Sequence, residues 1–285
     1  TEEFQYRATN KHKPVLCVGA GPSLRENLRH IDDSLYKIIA CDKAVPALVR
    51  KGVTIDYIVA MNAAPTAVRE WLEPANDGYP TLIVPCGVNP EAYQDWKGKL
   101  QFVNAVTSTG LHDRVTSELG LLPMVIGSNA GAFSYCMAWY MGFNPIAYCA
   151  MDFCFERKMD ILRSIEDSNY NILEMNDVRR RKRWLTLGWF FMADAFQDRV
   201  KAANHQGVRT VNCTEGGINY SNYTERLSLV DERDRQRLAL LRQAVTAPGN
   251  DLQRTLRVAT IGLLDLQALI RLRQIGTLPI DGFLR

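Results

Sequence analysis

The chain has 285 residues, of which 47% are apolar, so it is long enough to bury one large core or two modest ones. Its formal net charge of only +3 argues against a nucleic-acid-binding protein that depends on bulk electrostatic attraction. No stretch of 18 uncharged apolar residues and no signal-peptide pattern occurs, so we expect a cytoplasmic protein without a transmembrane segment. The chain starts at Thr1 rather than Met, which favours a segment excised from a longer protein.

Short apolar runs that are rich in β-forming residues predict strands along most of the chain. They cover residues 14–21, 36–42, 56–62, 80–86, 100–106, 144–153 and 209–213. Runs that are apolar on both faces are typical of a parallel sheet covered by helices. Helices are predicted between them at 44–51, 66–73, 111–119, 130–142 and 185–206. The alternation predicts an α/β protein, a three-layer Rossmann-like fold with a mostly parallel sheet flanked by helices.

The first strand ends in the glycine-rich turn "VGAGPSL" (18–24). Gly19 and Gly21 permit close backbone approach, Pro22 fixes the helix entry, and Ser23 can cap the helix, which would leave N–H groups free for an anion. The turn lacks the third glycine of a dinucleotide fingerprint and the Lys-Ser/Thr of a P-loop, which argues against a nicotinamide-binding or ATP-hydrolysing site. The alternative is a tight turn that binds nothing.

The segment 156–183, after the sixth predicted strand, carries mixed charge and no clean period, which is typical of an active-site lid. Its basic run "RRRKR" (179–183) predicts a solvated charged face or, alternatively, a phosphate clamp. We expect Trp184, Trp189 and Phe190 to lie in a helix core rather than to stack on a base. The seven cysteines form no CxxC pair and fall mostly in apolar runs, which indicates reduced thiols of a cytoplasmic protein.

The pattern changes after about residue 228, where charges alternate with apolar residues at helical spacing. Two helices are predicted, at 231–245 and 252–272, joined by the breaker "APGND". We therefore predict a Rossmann-like nucleotide-binding domain over 1–228 and a helical C-terminal extension over 229–285. The second helix is too apolar for one narrow face, which favours a homo-oligomer that assembles through these helices.

Three segments together carry a resemblance to a known family: "VGAGPSL" (18–24), "GSNAGAFSYCMAWYMGFNPIAYCAMDF" (127–153) and "VNCTEGGINY" (211–220). In this order they resemble the family of the bacterial flagellar motility accessory factors and the archaeal MptE-like 6-hydroxymethylpterin diphosphokinases. They are also similar, more distantly, to bacterial sialyltransferases that use a CMP-activated sugar. The resemblance spans roughly 14–228 and implies a nucleotide bound over the strand ends.

The resemblance also implies site residues. It places a nucleotide or nucleotide sugar beside Gly19, Ala20, Gly21, Pro22, Ser23, Ser128, Asn129, Ala130 and Gly131, and near Glu215 and Gly216. Asp42 and Asn62 correspond to strand-end positions that hold the nucleotide sugar in the sialyltransferases. Asp42 and Asp152 are the catalytic candidates. Both aspartates are also explained by hydrogen bonds to neighbouring loops, and Asn62 and Asn129 by turns or caps.

Two departures from the family pattern shape the function hypotheses. The third strand ends in "AMNAAP" (60–65), where the archaeal diphosphokinases carry an acidic pair suited to Mg²⁺, so no metal ligand is assigned. No histidine occurs between 113 and 204, where the transferases carry a general base. The leading hypothesis is a nucleotide-binding transferase, glycosyltransferase-like, with a CMP-type donor. The alternatives are an ATP- and Mg²⁺-dependent pterin diphosphokinase and a non-catalytic scaffold module.

Overall fold

A computed structural model describes residues 10–62, 64–105, 118, 124–164, 171–218 and 224–246. The chain divides into two compact units, Thr1–Arg226 and Leu227–Arg285. The first unit contains the sheet and the candidate site.

The first unit is built on an eight-stranded sheet in which every neighbouring pair is parallel. Its strands are β1 (Val15–Val18), β2 (Lys37–Cys41), β3 (Tyr57–Val59), β4 (Thr81–Pro85), β5 (Leu100–Val103), β6 (Ile146–Cys149), β9 (Thr210–Asn212) and β10 (Glu225–Arg226). Their order is β10-β9-β6-β1-β2-β3-β4-β5. The sheet and its flanking helices confirm the predicted Rossmann-like α/β class.

Strand order reverses beside β1. The chain passes from β1 to β2, β3, β4 and β5 on one side, and later returns to β6 on the other side of β1. Residues Val15–Val18 pair with β2 through Lys37–Ala40 and with β6 through Ile146–Cys149. Connections that leave a parallel sheet in opposite directions open a crevice at the carboxyl ends of the two strands. The fold therefore sets a ligand-sized opening beside the glycine-rich turn.

The helices of the first unit follow the predicted alternation closely. They are α1 (Leu24–Asn27), α2 (Val45–Arg50), α3 (Pro65–Leu72), α4 (Ala130–Tyr140), α5 (Lys158–Ser164) and α6 (Leu187–His205), with 3₁₀ turns at Leu28–His30, Asp42–Ala44, Glu73–Gly78 and Pro90–Ala92. Helix α4 packs on β1, β2, β3 and β6, and its residues 132–138 are all buried, which explains its apolar sequence. The predicted helix 111–119 lies outside the described residues apart from residue 118.

A buried aromatic cluster fixes α4 and α6 against the centre of the sheet. Tyr135 of α4, Tyr148 of β6 and Phe196 of α6 contact one another edge-to-face, with ring centroids 5.2–6.1 Å apart. The Tyr135 hydroxyl lies 2.7 Å from the Thr210 hydroxyl, so its polar end is satisfied. The cluster fixes the middle of both helices against β6.

The mixed-charge segment contains structure that the sequence did not indicate. Strands β7 (Ile172–Asn176) and β8 (Lys182–Thr186) form a separate antiparallel hairpin, with Ile172 opposite Thr186. Trp184 lies in β8, where it exchanges backbone hydrogen bonds of 2.7 and 3.1 Å with Phe155. The prediction that Trp184 belongs to a helix core is therefore wrong.

The second unit begins with α7 (Leu229–Thr246), which confirms the helix predicted at 231–245. The Ser228 hydroxyl accepts the Asp231 backbone N–H at 3.1 Å and so satisfies a first-turn donor. The second predicted helix, 252–272, and the oligomer expected from it lie outside the described residues. Within the part of the chain that the structure describes, no helix is both long and apolar enough to cross a membrane.

Candidate functional site

A cavity of about 580 Å³ opens at the carboxyl edge of the sheet, at the point where strand order reverses. Most of the sequence-predicted site residues line it: Gly19, Ala20, Gly21, Pro22, Asp42, Asn62, Ser128, Asn129, Ala130, Gly131 and Asp152. The glycine-rich turn and the start of α4 both line this cavity, although they are more than a hundred residues apart in sequence. Ser23, Glu215 and Gly216 are absent from this lining.

The glycine-rich turn is bonded to the loop that follows β6. The Gly19 N–H donates to the Cys149 carbonyl and the Gly21 N–H to the Ala150 carbonyl, both at 2.9 Å. A Cβ atom on Gly21 would lie 2.7 Å from the Ala150 carbonyl oxygen and would also overlap the Asp152 carboxylate. Glycine is therefore required at position 21 by the close approach of the two loops.

Asp152 occupies the donors that the sequence suggested were free for a ligand. Its Oδ2 accepts the Ser23 backbone N–H at 3.2 Å and the Ser23 hydroxyl at 2.8 Å. The prediction that the turn leaves the Gly21 and Ser23 amides free is therefore wrong. Ser23 stands at the N-cap position of α1, but its hydroxyl makes no capping hydrogen bond. The turn is closed by an internal carboxylate.

The electrostatic position of Asp152 follows from its burial. The residue is only 2% exposed. Burial raises the pKa of its carboxyl to about 6, although the Ser23 donors and the charges of Arg183 and Arg181 act in the opposite direction. Burial therefore favours the neutral form of Asp152, whereas the Ser23 donors and the two arginines favour its charged form.

The backbone around Asp152 is unusually contorted. Ala150 and Phe153, on either side of it, adopt left-handed φ values of 54° and 53°. Such conformations cost a non-glycine residue about 1 kcal/mol or more, and they persist only where the surroundings fix them. The Asp152 carbonyl accepts the Ile218 N–H at 2.9 Å, and Gly217, at φ +81°, packs against the Asp152 backbone.

Asp42 reaches the same cavity from the end of β2 and is 3% exposed. Its Oδ1 accepts the Lys43 backbone N–H at 2.7 Å, whereas its Oδ2 is buried and has no hydrogen-bond partner. Burial raises the pKa of the Asp42 carboxyl to about 6, and the nearby backbone N–H groups of Lys43 and Met61 lower it only in part. Because an unpartnered buried carboxylate oxygen is costly, Oδ2 is a candidate acceptor for a donor group of a ligand.

The two asparagines of the site use their oxygens for local structure. Asn62 Oδ1 accepts the Ala64 N–H at 2.9 Å, and Asn129 Oδ1 caps α4 by accepting the Ala132 N–H at 3.0 Å. The turn at Asn62 and the cap at Asn129 both agree with the alternative stated for these residues. The Asn129 Nδ2 group, however, is buried without a partner at the start of α4. Asn129 therefore offers a donor in addition to the cap.

Sequence reasoning missed several residues that line the cavity, notably Lys43, Trp71, Trp189 and Met192. Among the described lining residues Lys43 is the only basic one, and its Nζ lies 5.9 Å from the centroid of the Trp71 ring. The place of Lys43 directly after a strand-end aspartate was an available signal. Trp189 lines the cavity and Phe190 is exposed, so their prediction as helix-core residues is wrong.

The remaining acids and thiols of the lining are occupied or neutral. Glu156 pairs with Arg25 at 2.7 Å and Asp160 pairs with Arg157 at 2.8 Å. Cys41 and Cys154 are buried, and burial raises the pKa of the Cys41 thiol to about 12 and that of Cys154 still further above its usual range. Burial therefore favours the protonated thiol over the nucleophilic thiolate at both positions.

The basic run 179–183 forms the tip of the β7–β8 hairpin, where its arginines are tied to carboxylates. Arg181 donates to Glu26 at 3.1 Å and to Asp177 at 2.8 Å, and Arg183 donates to Asp177 at 3.0 Å. Arg179 pairs with Glu26 at 3.0 Å and with Glu215. Arg183 is therefore buried within this ion-pair network, whereas the side chains of Arg181 and Arg179 remain 35% and 46% exposed.

The predicted residues Glu215 and Gly216 belong to this ion-pair network rather than to the cavity. The Glu215 carbonyl accepts from Arg181 at 3.0 Å, while its carboxylate pairs with Arg179. A Cβ atom on Gly216 would lie 2.7 Å from Arg181 Nη2 and 3.0 Å from Asp152 Oδ1. The "TEGG" loop thus supports Asp152 from behind.

The fold and this strand-end cavity define a Rossmann-like protein with a ligand crevice, and comparison with known proteins gives its family. Residues 2–158, more than half of the chain, match the family described as "6-hydroxymethylpterin diphosphokinase MptE-like". The chain belongs to this MptE-like family.

A solved structure, the MAf glycosyltransferase from Magnetospirillum magneticum AMB-1, shares the fold with a TM-score of 0.61 and 16% sequence identity. The match covers 94% of this chain and 49% of the glycosyltransferase, so the chain spans about half of that protein's length. No curated protein matches the chain.

Proposed function

We propose that this protein binds a nucleotide in the strand-end cavity and acts as a transferase, with a nucleotide-activated sugar of the CMP type as donor. The proposal rests on one observation: the β1 turn and the first residues of α4 line the same cavity, whose volume is about 580 Å³. That volume suits a ligand of nucleotide size. The fold shared with a MAf glycosyltransferase supports the transfer of a glycosyl group.

The phosphate end of the donor is assigned to the start of α4. This helix has eleven residues, and the backbone amides of its first turn together with its dipole favour a negative charge. Asn129, Ala130 and Gly131 line the cavity at this point. The β1 turn contributes shape rather than donors, since Gly21 and Ser23 bond within the protein.

The two catalytic candidates receive different roles. Asp152 positions the turn, because its Oδ2 is engaged by both donors of Ser23. Asp42 is the member of the pair that contacts substrate, because its Oδ2 has no partner within the protein. Lys43 supplies positive charge on the same side of the cavity and limits the repulsion between Asp42 and an anionic donor.

The proposal is tested by thermal unfolding of the full chain with CMP, CDP, UDP, ATP and GTP, each with and without Mg²⁺. A ligand present at a hundred times its dissociation constant stabilises the folded protein by about 2.7 kcal/mol, which is readily detected. We expect CMP to raise the midpoint most, and incubation with a CMP-sugar to release CMP. Absence of a response to every nucleotide would contradict the proposal and favour the scaffold hypothesis.

A second candidate function is a pterin diphosphokinase, which is favoured by the family match itself. Diphosphate transfer from ATP depends on a metal that neutralises charge on the moving group. At the end of β3, Asn62 takes the place of the acidic pair of the archaeal enzymes, and its side-chain oxygen already accepts the Ala64 N–H. Mg²⁺-dependent formation of AMP from ATP and 6-hydroxymethylpterin would establish this activity in place of the glycosyl transfer.

A further inference from the structure

The cavity has a second end, on the β6 side of the sheet, which the proposed function does not use. Strand order places β6 and β3 three strands apart, so their carboxyl ends are separated by about 14 Å. Asp42 and Asn62 line the end beside β2 and β3, whereas the loop after β6 and the start of α6 line the second end. Glycosyl transfer brings together a donor and an acceptor, so a second ligand has to bind next to the first.

The second end contains a corner of two aromatic rings. Phe155 and Trp189 both line the cavity, with ring centroids 5.7 Å apart and ring planes at 83°. Phe155 is fixed by its two backbone hydrogen bonds with Trp184 of β8, and the Trp189 N–H donates to the Thr186 hydroxyl at 3.3 Å. Both rings are only partly buried. The protein thus holds this corner in place, and its rings present apolar surface to the cavity.

Two carboxylates lie at the same end, and each has an arginine partner. Glu156 pairs with Arg25 through Oε1 at 2.7 Å, and Asp160 pairs with Arg157 at 2.8 Å. The two carboxylate side chains nevertheless remain 39% and 29% exposed. Since an ionised carboxylate accepts about four hydrogen bonds, Glu156 has room for a further donor. This end therefore offers hydrogen-bond acceptors whose charge is already balanced.

The nearby charges determine which class of ligand fits. Arg183 lies 3.8 Å from Glu156, but it is buried and held by Asp177 at 3.0 Å. Lys43, the one basic side chain of the described lining, belongs to the β2 end. An anionic ligand therefore meets no cationic side chain in the described lining of the second end, and a cationic ligand meets carboxylates that already have arginine partners. An uncharged ligand avoids the cost of burying an unpaired charge.

We infer that the second end binds the acceptor of the proposed transfer, and that this acceptor is an uncharged ring with hydroxyl groups, a hexopyranose. The apolar face of the ring packs on Trp189, and one of its hydroxyl groups donates to Glu156. The role as acceptor rests on the proposed function. Binding of the ring itself uses side chains outside the β2 end and does not require a nucleotide.

Each contact is tested with a variant and a matched control. Trp189→Leu removes the ring but keeps an apolar side chain on α6, and Phe191→Leu makes the same kind of change at a residue that is 59% exposed and outside the cavity lining. Glu156→Gln removes the charge of the carboxylate, and Glu174→Gln does the same in an exposed ion pair with Lys182. Trp189→Phe retains an aromatic face. Far-UV circular dichroism checks that each variant is folded.

Binding to the full chain is measured by ligand-observed NMR titration. The ligands are the uncharged methyl glycosides of glucose, galactose and mannose, the anionic methyl glucuronide and the cationic methyl glucosaminide. We expect an uncharged glycoside to bind about tenfold more tightly than both charged ones. Trp189→Leu and Glu156→Gln should each weaken its binding by about 10-fold, and Trp189→Phe should recover most of the loss. Phe191→Leu and Glu174→Gln should change it by less than about twofold.

The inference is overturned if no uncharged glycoside binds, if a charged one binds as tightly, or if Trp189→Leu has no larger effect than Phe191→Leu. It is also overturned if 6-hydroxymethylpterin binds through Trp189 more tightly than the glycosides. In each of these cases the proposed function stands if a nucleotide stabilises the chain in thermal unfolding. Glycoside binding through Trp189 without a response to any nucleotide overturns the proposed function alone and leaves the ring site in place.

Discussion

The β1–β6 side and the β2 side of the cavity each have one buried aspartate, and the two aspartates differ in the hydrogen bonds that they accept. Burial raises the pKa of both carboxyls to about 6. Asp152 nevertheless receives two hydrogen bonds from Ser23, whereas one oxygen of Asp42 receives none. Burial and pKa are therefore alike for the two carboxyls, and only the hydrogen bonds that their oxygens accept differ.

The largest effect is expected when the contact between the glycine-rich turn and the loop that carries Asp152 is broken. Gly21→Ala places a methyl group against the Ala150 carbonyl and the Asp152 carboxylate, so the two loops must separate. We expect a loss of at least about 3 kcal/mol in the free energy of unfolding, measured by urea denaturation. Gly87→Ala is the control, because a Cβ there meets nothing within 4 Å. Equal losses for the two variants would contradict the close approach at Gly21.

A smaller effect is expected when the carboxylate itself is removed. Asp152→Ala leaves the buried Ser23 N–H without its acceptor and should cost about 2 kcal/mol at pH 7. The comparison variant Asp160→Ala removes a partly exposed ion pair with Arg157, which should cost less than about 0.5 kcal/mol. Urea denaturation of both variants provides the comparison. A loss for Asp152→Ala no greater than that for Asp160→Ala would show that the Ser23 contact contributes nothing to stability.

The smallest effect concerns the pH dependence of stability, to which the buried Asp42 carboxyl contributes. Because burial raises the pKa of Asp42 from 3.8 to about 6, the folded protein retains a proton that the unfolded chain has lost between these values. The stabilisation of the folded protein by the proton on Asp42 is thus fully present below pH 3.8, and it is lost as the pH rises through about 6. A shift of this size corresponds to about 3 kcal/mol of destabilisation by the charged carboxylate at neutral pH. Asp42→Asn removes this cost, but it adds the smaller cost of a buried amide without a partner.

We therefore expect Asp42→Asn to raise the free energy of unfolding by about 1 kcal/mol at pH 7. It should also reduce the loss of stability as the pH rises from 4 to 6, a loss to which Asp152 contributes in the same direction. Urea titrations at several pH values measure both quantities. An unchanged slope would show that Asp42 does not titrate in this range.

The elements that the sequence predicted well are those with a strong local pattern. Strands β1, β2, β4 and β6 are short apolar runs buried on both faces, and α4 has a cap at Asn129 and a stop at Gly142. The cavity lining was largely predictable as well, because strand ends and helix starts of a parallel sheet meet at one edge. Local pattern and fold rules together account for these predictions.

The features that were missed depend on contacts between distant residues. Ser23 and Asp152 are 129 positions apart, so no local pattern indicates that the carboxylate occupies the donors of Ser23. The β7–β8 hairpin lacks a long apolar run, and its tip is held by the pairing of Asp177 with Arg181 and Arg183. Trp189 faces the cavity because α6 begins directly after β8, a junction that the undetected hairpin creates.

The engagement of Ser23 by Asp152 has a consequence for the kinetics of ligand capture. Since the protein itself holds the turn, no loop there has to be ordered when a molecule enters, and that part of the entropy cost is met during folding. Association should then be governed by diffusion into an open, pre-shaped recess, and differences in residence time between ligands should arise at the opposite wall, beside β2.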